Sequence, residues 1–164
     1  VIKKTYPIIE QLIINALKMT EQLHQELNRE ADALKKNPQA ALISDLAANK
    51  KQLIEQLEQF NTQLTQILAT EKLPNNQDSI REYFKRAETA CLSTAESTSN
   101  WAQLMRVCFE CRALNEQNGA SIDLLSRYTK RSLDILKGKP DFPNTYGADG
   151  STQSERYSHR LISV

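Results

Sequence analysis

The stretch "IEQLIINALKMTEQLHQELNREADALKK", residues 9–36, decides the fold class. Ile9, Leu12, Ala16, Met19, Leu23, Leu27, Ala31 and Leu34 recur at steps of three and four. That spacing puts apolar side chains on one face of a helix, and such a face needs a partner. Strand alternation appears nowhere along the chain, and neither does an internal repeat that would build a solenoid.

Two prolines divide what lies on either side. "KKNPQ" around Pro38 ends the first helix, because the residue before a proline is pushed out of the helical region. "KLPNNQDS" around Pro74 ends a second helix, and its asparagines and Asp78 suit a turn and an N-cap. The second stripe runs Leu42, Leu46, Leu53, Leu57, Phe60, Leu64 and Ile67, with Asn49 at an intervening seam position. A shorter third stripe runs Ile80, Phe84, Ala87, Cys91 and Ala95. The fourth runs Trp101, Leu104, Cys108, Cys111, Asn115, Asn118, Ile122, Leu125, Thr129, Ser132 and Leu136. "STAESTSN", residues 93–100, is rich in N-cap residues and marks a kink or short break.

The first two helices would each reach roughly 45–50 Å at 1.5 Å per residue, joined by a short turn and therefore antiparallel. The expectation is an all-α fold: an antiparallel, coiled-coil-like bundle of three or four long helices over residues 1–137. Composition shifts after Leu136. "KGKPDFPNTYGADGSTQ" holds three of the four glycines and two of the five prolines. Gly138 suits a helix C-cap and Pro140 a stop, so residues 138–164 are expected to be a flexible C-terminal tail.

The totals narrow the function classes. With 164 residues the chain suits one domain, and 40% hydrophobic with 25% charged residues is ordinary for a soluble protein. Formal net charge is +1, and basic pairs such as Lys35-Lys36, Lys50-Lys51 and Lys130-Arg131 are interspersed with acids. No basic stripe marks a nucleic-acid face, and no apolar run approaches bilayer length. The opening residues are not those of a signal peptide, since Glu10 and Asn15 interrupt the apolar stretch. Three cysteines fit reduced thiols in a cytoplasmic protein better than a disulfide framework.

Catalytic and metal-site patterns are weak. Cys108-Phe-Glu-Cys111 is a C-x-x-C without the βαβ context of a redox motif and without two further ligands for zinc. Both cysteines fall on the fourth stripe and are expected in the core. Glu21 and His24 have the spacing of di-iron bundles, which need a second such pair, and the only other histidine is His159. They are expected on a solvated face. No nucleophile elbow or phosphate loop occurs, so neither an enzyme nor a cofactor is indicated.

Two features stand apart from a plain bundle. Asn115 and Asn118 interrupt the fourth stripe, and Gly119 follows, where a helical glycine costs about 1 kcal/mol against alanine. They serve either register control or a surface left for a partner. The tail also carries Phe142, Tyr146, Tyr157, Leu161, Ile162 and Val164, although aromatic residues are sparse in segments that stay disordered.

Residues 113–138, "ALNEQNGASIDLLSRYTKRSLDILKG", followed by "YGADGSTQSERYSHRLISV" at 146–164, resemble the C-terminal half of the flagellar export chaperone family FlgN. The resemblance rests on Leu114, Asn115, Asn118 and Gly119 on the last helix, then on Tyr146, Gly147 and Gly150, then on the closing "SHRLISV". It implies a cytoplasmic, non-enzymatic chaperone of type III export. Such a chaperone binds hook-associated (hook–filament junction) proteins, prevents their premature assembly and delivers them to the export gate. It also implies cargo contact by the last helix, near Asn115, Asn118, Gly119, Ile122 and Leu125, and gate contact by Tyr146 with Gly147 and Gly150. The competing classes are a coiled-coil protein that only oligomerises through the same stripes and a metal-binding four-helix bundle; whether the free chain is a monomer or a homodimer is open at this point.

Overall fold

A computed structural model describes residues 1–36 and 39–136. Four helices follow in order: α1 (Ile2–Lys36), α2 (Ala40–Thr70), α3 (Gln77–Thr89) and α4 (Ala95–Leu136). The chain divides into two compact units, Val1–Ser121 and Ile122–Val164. The first holds α1, α2, α3 and most of α4. The described part of the second is the last stretch of α4.

In the first unit the seam of α1 is a strict heptad series. Tyr6, Ile9, Ile13, Ala16, Thr20, Leu23, Leu27 and Glu30 are its buried residues, alternating steps of three and four. The seam therefore sits beside the stripe expected from the sequence. Ile13 and Thr20 are buried where Leu12 and Met19 had been expected, and both of those are half-buried. The reason is local: Leu12 and Ile13 are adjacent and equally apolar, so residue type alone does not say which one faces inward. Pro7 lies inside α1, in its second turn, where it removes one backbone donor.

Helices α1 and α2 run antiparallel, as expected. Ile9 and Ile13 share an apolar cluster with Leu64 and Leu68, while Leu23 and Leu27 pack with Leu53 and Leu57. Leu42, expected on the inner stripe, is exposed near the start of α2, and Leu68 near its end is fully buried.

Helix α3 caps the end of the bundle where α1 begins. Asn76 is its N-cap, accepting a hydrogen bond from the Ser79 backbone N–H at 2.8 Å. Its Ile80, Tyr83, Phe84 and Ala87 complete the cluster around Tyr6, Ile9 and Ile13. The Tyr83 hydroxyl shares a 2.8 Å hydrogen bond with Thr5 Oγ1, and burial raises its pKa. The third stripe does not continue to Cys91 and Ala95. Helix α3 stops at Thr89, Cys91 turns the chain at φ 64°, and Ala95 opens α4.

Helix α4 then runs parallel to α1. The Tyr6 hydroxyl donates to Ser93 O at 2.7 Å and lies 2.9 Å from Ser97 Oγ. Cys111 Sγ approaches Thr20 O at 3.6 Å, and Asn118 Nδ2 donates to Leu27 O at 2.9 Å. Three of these pairs (Tyr6–Ser97, Thr20–Cys111 and Leu27–Asn118) are separated by the same 91 residues. Ile13 and Leu104, both buried, stand at that offset too.

Candidate functional site

The positions expected to meet cargo lie on α4, and the structure sorts them by accessibility. Asn118 is on the seam and 2% exposed; its amide is committed to the Leu27 carbonyl, which has a second lone pair to offer. Asn115, one turn earlier, is exposed, and its Oδ1 lies 3.4 Å from Lys50 Nζ. Gly119 is exposed, and a Cβ added there would meet nothing within 4 Å. Close approach of another helix of this unit is therefore not what the glycine serves. In the second unit, Ile122 and Leu125 are half-buried. Tyr146, Gly147 and Gly150 lie outside the described residues.

A buried ion pair sits beside this seam. Glu30 occupies a heptad position of α1 and has no exposed surface. Lys50 Nζ of α2 lies 3.0 Å from its Oε1 and 2.9 Å from its Oε2. A buried carboxylate needs such a partner, because losing water without one costs several kcal/mol. Lys50 thus links Glu30 on α1 with Asn115 on α4. Nothing in a single sequence marked Glu30, since glutamate on a long helix reads as a solvated residue.

The cysteines divide. Cys111 is 5% exposed, and burial, helped by Cys108 and Glu110, pushes its thiol up to about 11. Cys108 is only half-buried, so the expectation of two core cysteines holds for one; Val107 takes the inner place beside it. Burial raises Cys108 as well. These are protonated thiols at neutral pH, the opposite of activated nucleophiles. Glu21 is exposed and accepts from Gln103 Nε2 at 3.2 Å, while His24 Nε2 lies 3.4 Å from Glu110. Both side chains thus flank the α1–α4 seam. Among the described residues no three His, Cys, Asp or Glu side chains are grouped to hold a metal ion. No described helix is long and apolar enough to cross a membrane.

One groove was not anticipated. Of about 450 Å³, it lies between α1 and α2 and is lined largely by amides. The signal was present as the glutamine density of "QLIEQLEQFNTQLTQ", residues 52–66, but glutamine on a helix ordinarily means a solvated face.

The class of protein that the described residues define is a helical bundle with a polar seam. The family model described as FlgN protein matches residues 6–154, and the chain belongs to that family of flagellar export chaperones. The family ties it to flagellum biogenesis, and its chaperones bind hook-associated proteins. No curated protein and no solved structure matches the chain.

Proposed function

We propose that this chain holds a hook-associated protein before secretion, shields its C-terminal segment and hands it to the export gate. The observation that carries the reading is the family match across residues 6–154. The bundle supports it: the described seams of α1 and α4 are used within the chain, which argues against a protein whose stripes serve only oligomerisation. In this reading Asn115 and Gly119 offer an accessible edge to cargo, and Asn118 holds α4 in place beneath them. Ile122 and Leu125 extend the contact by resemblance. Tyr146, directly ahead of Gly147 and Gly150, which allow a tight turn, serves as the gate anchor, since tyrosine offers a large face at low side-chain entropy cost.

The test is paired. Ile122→Asp lowers affinity for the C-terminal segment of a hook-associated protein with far-UV helicity kept. Tyr146→Ala leaves that affinity within twofold and weakens binding to the soluble domain of the export gate about thirtyfold, the effect of losing an anchor of about 2 kcal/mol. Calorimetry reads both. Loss of cargo affinity with gate affinity intact in Tyr146→Ala, or no change in either, sinks the division of roles.

A further inference from the structure

The α1–α2 groove has an unusual lining for a helical surface. Asn15 and Gln22 of α1 face Gln56, Gln59 and Gln63 of α2 across it. The side chains of the four glutamines bond to no other residue among those described, and all four are exposed. Leu12, Met19 and Phe60, each half-buried, line it between the amides. Lys18 is the one charged side chain in the lining, and no carboxylate is among it.

A carboxamide carries the same donor and acceptor as a peptide unit. A row of them matches a backbone whose own N–H and C=O groups are unpaired. A helix would gain little there, because its backbone is bonded internally. An extended segment gains most. Leu12 and Gln22 are ten residues apart, about 15 Å along a helix, which spans four to five residues of extended chain at roughly 3.3 Å each. Met19 supplies a pliable apolar contact that accepts side chains of different shape. Lys18, with no lining acid to offset it, favours a neutral or acidic segment over a basic one.

We propose that this groove binds an extended, uncharged-to-acidic segment of the export cargo through its backbone, with little dependence on side-chain sequence. The inference rests on the reading of the chain as a cargo holder and adds a second contact surface, away from the polar seam of α4. It also accounts for Leu12 and Met19 lying beside the α1 seam instead of in it.

The chain has two methionines, Met19 in the groove and Met105 on α4, so a methyl-labelled sample gives one resonance for each place. The C-terminal segment of a hook-associated protein is titrated into the full chain. The expected result is a shift of the Met19 methyl on binding, with affinity reduced about tenfold in Gln56→Glu/Gln59→Glu/Gln63→Glu. Those exposed positions keep their helix propensity, which circular dichroism checks. Binding with Met19 unmoved and the triple variant unaffected overturns the groove and leaves the cargo reading standing. Absence of any binding overturns both. A Met19 shift that tracks protein concentration without cargo makes the groove a contact between two copies and overturns the proposal.

Discussion

Lys72 and Cys91 carry the same burden at the ends of α2 and α3. Each has a positive φ, 59° and 64°, which costs a residue with a Cβ about 1–2 kcal/mol. Both close the same hydrogen-bonded stop. Lys72 N–H donates to Ala69 O and Leu73 N–H to Leu68 O; Cys91 N–H donates to Glu88 O and Leu92 N–H to Ala87 O. That is the pattern in which glycine is usual at the left-handed position. In each case the next residue, Leu73 or Leu92, packs on the core and fixes the turn. Lys72→Gly and Cys91→Gly are therefore expected to stabilise the protein by about 0.5–1 kcal/mol each, the relief of strain exceeding the added freedom of the unfolded chain. Urea denaturation reads this directly; a lowered midpoint in either variant contradicts it.

At the scale of the helices, the ion pair of Glu30 and Lys50 should show a marked asymmetry. The Glu30 side chain is 0% exposed and that of Lys50 is 15% exposed. Lys50→Met strands a carboxylate away from water and is expected to cost about 3 kcal/mol or more. Glu30→Gln leaves an ammonium that reaches solvent and keeps a hydrogen-bond acceptor, so about 1 kcal/mol is expected. The double change Glu30→Leu/Lys50→Met should return close to the parent stability, since neither charge is left unpaired. The account fails if Lys50→Met proves the milder single variant in chemical denaturation. This pair also marks the limit of what the chain discloses by itself. Helices, the Pro38 and Pro74 breaks and the antiparallel α1–α2 hairpin follow from local rules, and were legible. That Thr20 and Glu30 sit inside while Leu42 and Asn115 sit outside depends on which residues arrive from elsewhere in the chain. The same holds for the amide groove, whose two walls are far apart in sequence. Asn115 and Gly119 could be singled out as oddities on a stripe, but only their placement separates them from Asn118.

For the molecule as a whole, the first unit is unevenly held. The cluster around Tyr6, Ile9, Ile13, Leu64, Leu68 and Tyr83 draws on α1, α2 and α3. The cluster of Leu23, Leu27, Val107 and Cys111 is smaller and lies beside buried polar groups. Polar contacts are replaced by water at little net cost, whereas apolar ones are not. Amide hydrogen exchange should be slowest at Ile9 and Ile13 and faster at Leu114 and Asn118. Equal protection at both would show that the polar seam is as firm as the apolar end. The constant offset between α1 and α4 has a consequence of its own. Its rungs set Tyr6 against Ser97 and Leu27 against Asn118, with Ile13 level with Leu104 and Thr20 level with Cys111. Sliding one helix by seven residues would keep every seam position on the seam, yet bring Tyr6 level with Leu104 and Thr20 level with Asn118. The hydroxyl of Tyr6 would lose its acceptors, and Leu27 O its second donor. The ladder thus works as a lock with one bitting: the repeat brings the two helices together, and the unlike rungs admit a single alignment.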